Sequence, residues 1–395
     1  MENLAGDYQN AVPNGELGIL PMPGFESMAQ KIDWYITKWR RDYVAKLPAD
    51  DILQRYVKES YIIEARFDRF ATGEGKCTIT QSVRGYDMFL LCDPFNYGVQ
   101  YEMFGVQVPT SPDEHFANLK RAISATCGKA RRITVIMPML YEGRQHKRSN
   151  RESLDCAMML QELEAMGVNN FITFDAHDGR VQNAVPNVGF EDVRTTYQMV
   201  KALVRTFPDI EFDKEKLMVI SPDEGGMSRS IFFANMIGVD LGMFYKRRDY
   251  SLVIKGRNPI VAHEYLGRDI SGKDVIVPDD MISSGDSMID VASKLHELGA
   301  KRIFICVTFG LFCEGLERFN AAYKAGLFTK VFTTNLIYQP QELLAQEWYC
   351  SVPLEKYMSY IIDTINHDQS LSMVLHPDER IHYLLAKTKA ARNKN

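Results

Sequence analysis

The sequence predicts an α/β protein built on two mostly parallel sheets, each flanked by helices, with an additional helical extension at the N-terminus. Short apolar segments alternate with helical segments from about residue 60 onward, which is the pattern of repeated β-α-β units. A chain of 395 residues is long enough for two domains of ordinary size. Polar clusters follow several predicted strands, at the edge where open α/β sheets bind ligands.

The region before the first sheet is expected to hold an arm and a helix. The first ~25 residues are rich in Gly, Pro and Asn, so we expect them to be poorly ordered. Residues 32–44 then follow a helical period and carry the aromatic side chains Trp34, Tyr35 and Trp39. The basic residues of this helix could indicate a membrane or RNA surface, but we expect a helix that buries its aromatics against the main body.

Apolar periodicity assigns the later elements in chain order. The first unit comprises a strand at 133–138, a helix at 152–166 and a strand at 171–174. The next comprises a strand at 217–220, a helix at 227–237 and a strand at 242–245. The last comprises a strand at 275–277, a helix at 288–298 and a strand at 302–307. We expect an N-terminal extension over 1–59, a first domain over 60–205, a second over 206–350 and a tail over 376–395.

Composition excludes several classes of protein. The net charge of −5 gives no support for a nucleic-acid partner. The seven cysteines form no CxxC pair, which favours reduced thiols in the cytoplasm over a disulfide framework or a zinc site. No apolar run approaches the length of a bilayer span, so we expect no membrane association.

The most informative segment is residues 274–287, DVIVPDDMISSGDS. A β-branched strand ends in Asp279 and Asp280, and a hydroxyl-rich turn with Gly285 leads into a helix. Such a turn receives phosphate on backbone N–H groups and the helix dipole. Paired carboxylates beside an anion site suit the hydroxyls of a sugar or a Mg²⁺ attached to it. We interpret the segment as a sugar-phosphate site; the alternative is an ordinary turn with acidic capping residues.

Four other polar clusters follow predicted strands. Each has a functional interpretation and a structural alternative, namely a solvated loop or helix capping. Arg144-Gln145 could bind phosphate and a base or bridging oxygen. His177, with acidic neighbours in Asp175-Ala176-His177-Asp178, could bind a metal ion. Asp223 in 221–226 could hold Mg²⁺ or belong to an anion nest. Lys246-Arg247-Arg248, before a long stretch with little secondary-structure signal, could neutralise transferring phosphoryl charge.

In this order and spacing, the clusters resemble the ribose-phosphate pyrophosphokinase family from about residue 67 to about residue 375. Two further segments carry the resemblance, FATGE at 70–74 followed by QSVRG at 81–85, and SVPL at 351–354. The resemblance implies two phosphoribosyltransferase-like domains, the first on the ATP side and the second on the ribose 5-phosphate side. A helix near 352–372 would complete the first domain.

The resemblance also implies the activity and the roles of individual residues. The reaction is a Mg²⁺-dependent transfer of the diphosphoryl group of ATP to O1 of ribose 5-phosphate, and homo-oligomers built from dimers, up to a hexamer, would carry it out in the cytoplasm. The implied catalytic residues are Lys246 and Arg248, and the implied metal ligands are His177 and Asp223. The implied ATP-binding residues are Phe70, Thr72, Glu74, Arg144 and Gln145. The implied ribose 5-phosphate-binding residues are Asp279, Asp280, Ser283, Ser284, Gly285, Asp286 and Ser287.

The sequence departs from the family's pattern at several positions. Thr72 stands where the family usually has Asn or Asp, and Ser283 stands where it has Asp. Asp286 could replace the carboxylate that Ser283 lacks. The N-terminal extension, the added residues 97–108 and the tail from about 376 are further differences.

Two other functions stay open at this point. A catalytically silent regulatory paralogue would explain Ser283 and Thr72, but the retained Lys246, Arg248 and His177 oppose it. A phosphoribosyltransferase would need one such domain with a hood, whereas this chain carries two β-α sets.

Overall fold

The computed structural model describes residues 11–248 and 260–392, without the side chains of 246–248, 260–263, 373 and 391. The chain divides into two compact units. Unit 1 comprises the described residues of Met1–Arg194, Leu336–Tyr338 and Pro353–His376, and unit 2 comprises those of Thr195–Asn335, Gln339–Val352 and Pro377–Asn395. The chain passes from the first unit to the second at residue 195, whereas the sequence pattern predicted the boundary at 206.

The strands of unit 1 precede those of unit 2 along the chain. Those of unit 1 are β1 (Glu16–Pro21), β2 (Ala65–Arg69), β3 (Gly75–Ile79), β4 (Tyr86–Leu91), β5 (Gln100–Met103), β6 (Val106–Pro109), β7 (Arg132–Ile136), β8 (Asn170–Phe174) and β9 (Gly189–Val193). Those of unit 2 are β10 (Leu217–Ser221), β11 (Asp240–Arg248), β12 (Ile260–Leu266), β13 (Asp274–Ile282), β14 (Arg302–Gly310), β15 (Lys330–Thr334) and β16 (Tyr349–Val352).

The helices connect these strands or flank the sheets. They are α1 (Glu26–Val44), α2 (Pro112–Ala125), α3 (Asp155–Ala165), α4 (Thr196–Thr206), α5 (Met227–Ile237), α6 (Asp286–Glu297), α7 (Glu317–Lys324), α8 (Gln341–Leu344), α9 (Glu355–Asn366), α10 (Ser372–Leu375) and α11 (Asp378–Arg392). Two short 3-10 helices occupy Ile52–Tyr56 and Gly179–Ala184. Among the helices described, none combines the length and apolarity that crossing a membrane requires.

The main sheet of unit 1 is fully parallel, in the order β1-β4-β7-β8-β9. Parallel strands need crossover connections, and α2 and α3 supply two of them. Leu119 of α2 and Leu160 of α3 pack with Val135 of β7 in one buried core. Two antiparallel hairpins, β2–β3 and β5–β6, stand beside this sheet.

The sheet of unit 2 has the order β12-β11-β10-β13-β14-β15-β16 and is parallel except for the β11–β12 pair. Val277 of β13, Val291 of α6 and Ile305 of β14 share its core. At one end of that core the rings of Phe319 and Trp348 stack, with centroids 5.3 Å apart. The predicted α/β class with two mostly parallel sheets is therefore confirmed.

Several local predictions were wrong. Part of the expected disordered arm is β1, which pairs with β4 and carries the buried Leu17 and Ile19. Its partner strand lies some 70 positions further along the chain, so the pairing leaves no local sequence pattern from which β1 could be predicted. The stretch expected to lack secondary structure contains β12, and the expected tail contains α11, whose Ile381 is fully buried.

Helix α1 was predicted correctly, but its orientation was not. Its buried face consists of small and aliphatic residues such as Ala29, Ile32 and Ile36. Trp34 lies on the outer side and is 56% exposed, with the ammonium of Lys38 5.2 Å from its ring centroid. Thus aliphatic and buried polar side chains, more than the aromatics, attach the helix to the rest of unit 1.

A buried ion pair joins α1 to α9. The Arg40 guanidinium donates to Asp363 Oδ1 from Nε and from Nη2, at 2.9 and 2.8 Å, and to Asn366 Oδ1 at 2.6 Å. Both charged side chains are only 4% exposed. Asn366 in turn donates to Asp87 of β4 at 2.8 Å. The network therefore ties the N-terminal helix, the returning helix and the central sheet into one unit.

Replacing Arg40 by Met should destabilise unit 1 by about 3–5 kcal/mol, because it leaves the Asp363 carboxylate buried without its cation. Urea unfolding followed by tryptophan fluorescence measures this, since Trp34 and Trp39 report on α1. The control is Arg41→Met, an exposed neighbour on the same helix, for which we expect a change within about 0.5 kcal/mol. Equal losses in the two variants would contradict a special role for the buried pair.

Candidate functional site

Two of the predicted clusters meet at the carboxyl edge of the sheet in unit 1. The loop after β7 carries Arg144 and Gln145, and the loop after β8 carries His177. His146, the residue after Gln145, contacts the second loop: its Nε2 lies 3.4 Å from Asp178 Oδ2, and its ring centroid lies 5.4 Å from that of His177. Gln145 braces the first loop by donating to the carbonyl of Ser153 at 2.9 Å.

The His177 loop is held in shape by carboxylates of its surroundings. Asp175 has a φ of 50° and accepts a hydrogen bond from Arg194 at 2.7 Å. The Ala176 amide donates to Asp192 Oδ1 at 2.9 Å. His177 itself is exposed. This anchoring presents the imidazole at the end of β8 without burying it.

The pKa values of Asp178 and His146, which lie next to His177, are both lowered. Asp178 accepts hydrogen bonds from the side chain and the amide of Arg180, and these bonds hold the pKa of the carboxyl well below its usual range. Burial lowers the pKa of His146, against an opposing effect of Asp178. His146 is therefore neutral near pH 7 and has a nitrogen lone pair to offer. Its Nδ1 is buried and has no hydrogen-bond partner within the described residues.

The predicted adenine-side residues lie on the tight turn between β2 and β3. Thr72 Oγ1 donates to Glu74 Oε2 at 2.8 Å, and Phe70 is 59% exposed. The turn is supported by the β5–β6 hairpin, where the Phe104 amide donates to the Ala71 carbonyl at 3.0 Å. The structure thus places these three residues on one turn, which rests on the residues added at 97–108.

In unit 2, Asp223 lies in the loop between β10 and α5. Its Oδ1 accepts a hydrogen bond from the Gly226 amide at 3.0 Å, and its carbonyl accepts one from Ser221 Oγ at 2.7 Å. These bonds close the loop on itself just before α5 begins at Met227. The carboxylate is thereby fixed at the carboxyl edge of the sheet.

The paired acids at the end of β13 face an arginine of α5. Arg229 Nη1 lies 3.6 Å from Asp279 Oδ1 and 3.8 Å from Asp280 Oδ1, and its side chain is 10% exposed. Burial and the charge of Asp280 raise the pKa of Asp279 well above its usual range, and Arg229 opposes them. The structure therefore gives the two carboxylates one shared cation from the protein itself.

The turn after these acids has the backbone of an anion-binding loop. Gly285 has a φ of 92°, and a Cβ there would lie 2.3 Å from the ring of Phe319, so glycine is required. Helix α6 begins at Asp286, whose amide lies 3.5 Å from Ser284 Oγ, while the Met288 amide donates to the Gly285 carbonyl at 3.1 Å. The Ser283 carbonyl accepts from the Cys313 amide at 2.9 Å, which fixes the start of the turn. Ser283, Ser284 and Ser287 thus line one turn, as the sequence predicts.

Asp286 has a partner that sequence reasoning did not anticipate. Its carboxylate forms an ion pair with Arg318 of α7, and Arg318 also lies 3.5 Å from Glu314. Both Asp286 and Arg318 are about half exposed. The carboxylate expected to replace the one that Ser283 lacks is therefore engaged on the outer side of the turn.

The predicted catalytic residues lie at the end of β11. In the backbone, Lys246 pairs with His263 and Arg248 with Ile260 of β12, with a register shift between residues 247 and 248. The side chains of Lys246 and Arg248 lie outside the described part of the chain, as do residues 249–259.

Two residues of these sites were missed from the sequence. His146 stood unremarked between Gln145 and Lys147, although an imidazole in a basic loop is itself a signal. Arg229 is the one charged residue of α5 and follows the loop of Asp223 closely, so it too could have been noticed. No set of three or more His, Cys, Asp or Glu side chains in the described chain is arranged to hold a metal ion by itself.

Comparison with known proteins agrees with this geometry. Residues 29–167 match the family model of the N-terminal domain of ribose phosphate pyrophosphokinase, and residues 195–334 match that of the phosphoribosyl transferase domain. Ribose-phosphate pyrophosphokinase of Rhodopirellula baltica is 28% identical, covering 82% of this chain and 94% of its own length. That of Prochlorococcus marinus is 30% identical, covering 68% and 73%.

A solved structure supports the fold independently. Phosphoribosylpyrophosphate synthetase of Mycobacterium smegmatis aligns with a TM-score of 0.69 at 19% identity, over 89% of this chain and 99% of that chain. At this identity the likeness establishes the shared fold.

Asp279→Asn should make unit 2 more stable near pH 8. Because the pKa of Asp279 is raised in the folded protein, its contribution to stability is present below the ordinary value of 3.8 and is lost as pH rises through the folded value. Asn stays neutral, so the advantage of the variant should shrink on acidification and vanish below about pH 3.8. Urea unfolding followed through Trp348 measures it, with the exposed Asp290→Asn as control. A variant less stable than wild type at pH 8 would refute the assignment.

Proposed function

The chain belongs to the ribose-phosphate pyrophosphokinase family, and on that premise we propose that it transfers the diphosphoryl group of ATP to O1 of ribose 5-phosphate. The products are 5-phosphoribosyl 1-diphosphate and AMP. The observation that carries the proposal is the arrangement in unit 2 of two adjacent carboxylates near the end of β13, Asp279 and Asp280, with the 283–287 turn at the N-terminus of α6 directly after that strand. Carboxylates suit sugar hydroxyls, and the turn suits a phosphate.

On the ribose side, Asp279 and Asp280 would accept hydrogen bonds from the hydroxyls of ribose 5-phosphate. Arg229 supports this role because it favours the ionised carboxylates in a site where burial disfavours them. Ser283, Ser284 and Ser287 would donate hydroxyl hydrogen bonds to the 5-phosphate at the N-terminus of α6, where the helix dipole favours an anion. Gly285 allows the backbone to approach it closely. Asp286, by binding Arg318, would bring a cation near the same turn.

On the nucleotide side, we assign ATP binding to the residues of unit 1. The exposed ring of Phe70 would stack on adenine, with Thr72 and Glu74 as polar neighbours on the same turn. Arg144 would pair with phosphate oxygens and Gln145 would fix the loop that carries it.

The chemistry needs alignment and charge neutralisation more than covalent participation by the protein. The O1 hydroxyl of ribose 5-phosphate forms a bond to the β-phosphorus of ATP, the bond from that phosphorus to the bridging oxygen of the α-phosphate breaks, and AMP departs with the bond's electron pair. The proton of the hydroxyl passes to solvent or phosphate. Lys246 and Arg248 would neutralise charge on the diphosphoryl group while it is transferred.

We propose that a divalent cation, Mg²⁺, binds together with ATP. Each unit offers a suitable donor: in unit 2, Asp223 carries a carboxylate fixed at a strand end, and in unit 1, His177 carries an exposed imidazole whose ring lies next to that of His146. His177 and Asp223 are the ligands that we assign, each within its own unit. When bound, the cation would reduce the negative charge of the phosphates.

We further propose that the protein is a cytoplasmic homo-oligomer built from dimers. The exposed Trp34 on α1, flanked by the half-buried Tyr35 and Trp39, offers a contact surface in unit 1. All seven cysteines are free thiols, which agrees with a reducing compartment. Sedimentation analysis of the full chain tests the assembly, and a monomer at assay concentrations would refute it.

The activity has a direct assay, AMP formation from ATP that depends on ribose 5-phosphate, with Mg²⁺ and inorganic phosphate present. We expect AMP formation to stop when ribose 5-phosphate is omitted and to fall sharply in Asp280→Asn prepared in the same way, which excludes a contaminant. If the wild-type protein forms no AMP, a silent regulatory paralogue replaces this proposal. If it instead consumes 5-phosphoribosyl 1-diphosphate with a purine base, it is a phosphoribosyltransferase.

Lys246→Ala should lower kcat by about a hundredfold or more while the KM for ATP changes little. A cation that acts on charge developing in the transition state contributes to turnover and not to ground-state binding. Initial rates over a range of ATP concentrations measure both constants. The control is Lys294→Ala, which removes an exposed lysine of α6 that pairs only with Glu297 among the described residues. Near-wild-type turnover in Lys246→Ala would remove this residue from the mechanism.

A further inference from the structure

His146 and His177 form a pair of imidazoles at the carboxyl edge of the sheet in unit 1. Their ring centroids are 5.4 Å apart, with the ring planes inclined by 59°. Two imidazoles on one metal ion, each with a metal–nitrogen distance of about 2.0–2.1 Å, place their centroids roughly 5 Å apart. The observed centroid spacing is therefore close to that of two rings bound to one cation.

The state of His146 supports a ligand role. Its Nε2 lies 3.4 Å from Asp178 Oδ2, within ion-pair distance, and a carboxylate beside one ring nitrogen favours the tautomer that carries its proton there. The other nitrogen, Nδ1, is buried without a hydrogen-bond partner within the described residues. The backbone of Gly143 acts on the pKa of His146 as a hydrogen-bond acceptor does, but no hydrogen bond of normal geometry reaches Nδ1. Buried polar atoms in proteins almost always have a partner, so we expect a bound ligand to supply one for this nitrogen.

Asp178 is itself fixed, which makes the arrangement specific. Its carboxylate oxygens accept from Arg180 Nε at 2.9 and 3.2 Å, so Asp178 is held in place beside His146. The order Arg180, Asp178, His146 is that of an outer layer of hydrogen bonds that orients a metal-binding imidazole.

We propose that His146 is a second nitrogen ligand, together with His177, for the divalent cation that accompanies the nucleotide. The inference rests on the function proposed above for the same site. Mg²⁺ takes oxygen ligands and loses its water reluctantly, whereas imidazole suits the later first-row ions. Two imidazoles therefore make this site favour Mn²⁺, Co²⁺ or Zn²⁺ over Mg²⁺ more strongly than one imidazole would. Phosphate oxygens and water supply the remaining ligands, since the described side chains form no complete set.

The first test counts nitrogen ligands without relying on turnover. Mn²⁺ is bound to the full chain with and without ATP, and pulsed EPR detects the ¹⁴N couplings of coordinated imidazole. We expect couplings from two nitrogens in wild type and from one in His146→Phe or His177→Phe. His146→Gln provides a second variant in case Phe disturbs packing. The control is His296→Gln, an exposed imidazole of α6 in unit 2, which should leave the couplings unchanged.

The second test measures the preference between ions by calorimetry in the presence of ATP. His146→Phe should weaken Mn²⁺ and Co²⁺ binding about tenfold or more, as losses in a metal site's ligand shell do, and Mg²⁺ binding much less. His146→Asp replaces nitrogen by oxygen and should shift the preference back toward Mg²⁺ by a similar factor. Unchanged nitrogen couplings in His146→Phe and His146→Gln would overturn the inference. Metal affinities that stay the same when His146 is substituted would overturn it as well.

The two proposals fail in different ways. Two ¹⁴N couplings without AMP formation would leave the metal site standing and remove the proposed activity. Mg²⁺-supported AMP formation with a single coupled nitrogen would leave the activity standing and return His146 to a structural role.

Discussion

The structure depends above all on the burial of parallel strands. A strand covered on both faces must be apolar along its length and can carry polar side chains only where it ends. In unit 1 this places the Arg144 and His177 loops at the ends of β7 and β8, and in unit 2 it places Asp223 and Asp279 at the ends of β10 and β13. Reactive groups that are far apart in sequence therefore share one edge of each sheet.

The same burial raises the free-energy cost of charged side chains at that edge. Oppositely charged side chains from neighbouring elements reduce this cost. Asp279 and Asp280 lie beside each other with limited exposure, a state that favours protonation. Arg229 reaches them from α5 and lowers this cost. The sequence suggested that such acids need a sugar or a metal ion to compensate them; the structure shows that an arginine already does part of this. A ligand then has to compete with, or add to, an existing ion pair.

What the sequence could predict follows from how local each signal is. The strands at 133–138 and 275–277 and helix α5 were evident, because apolar runs and helical periods are properties of neighbouring residues. Strand β1 was not, since only pairing with β4 makes residues 16–21 a strand. The alignment of motifs with a known family likewise predicted which loops carry polar groups. The motifs did not include Arg229, Arg318 or His146. His146 and Arg229 gave weak sequence signals, but the contacts of all three residues arise only on folding.

Two residues of this chain, Ser283 and His146, bear on the cation proposed for it. Ser283 lacks the carboxylate that the family pattern places in the turn, and Asp286 of the same turn is bound to Arg318. The turn in unit 2 thereby has one fewer free carboxylate than the family pattern. In unit 1, His146, which we propose as a second nitrogen ligand, lies next to His177. Fewer charged oxygens and more imidazole both reduce the advantage of Mg²⁺ over softer ions. At the cation site that we propose, the imidazole of His146 would therefore lower the preference for Mg²⁺, while the loss of a carboxylate at 283 concerns the sugar-phosphate turn.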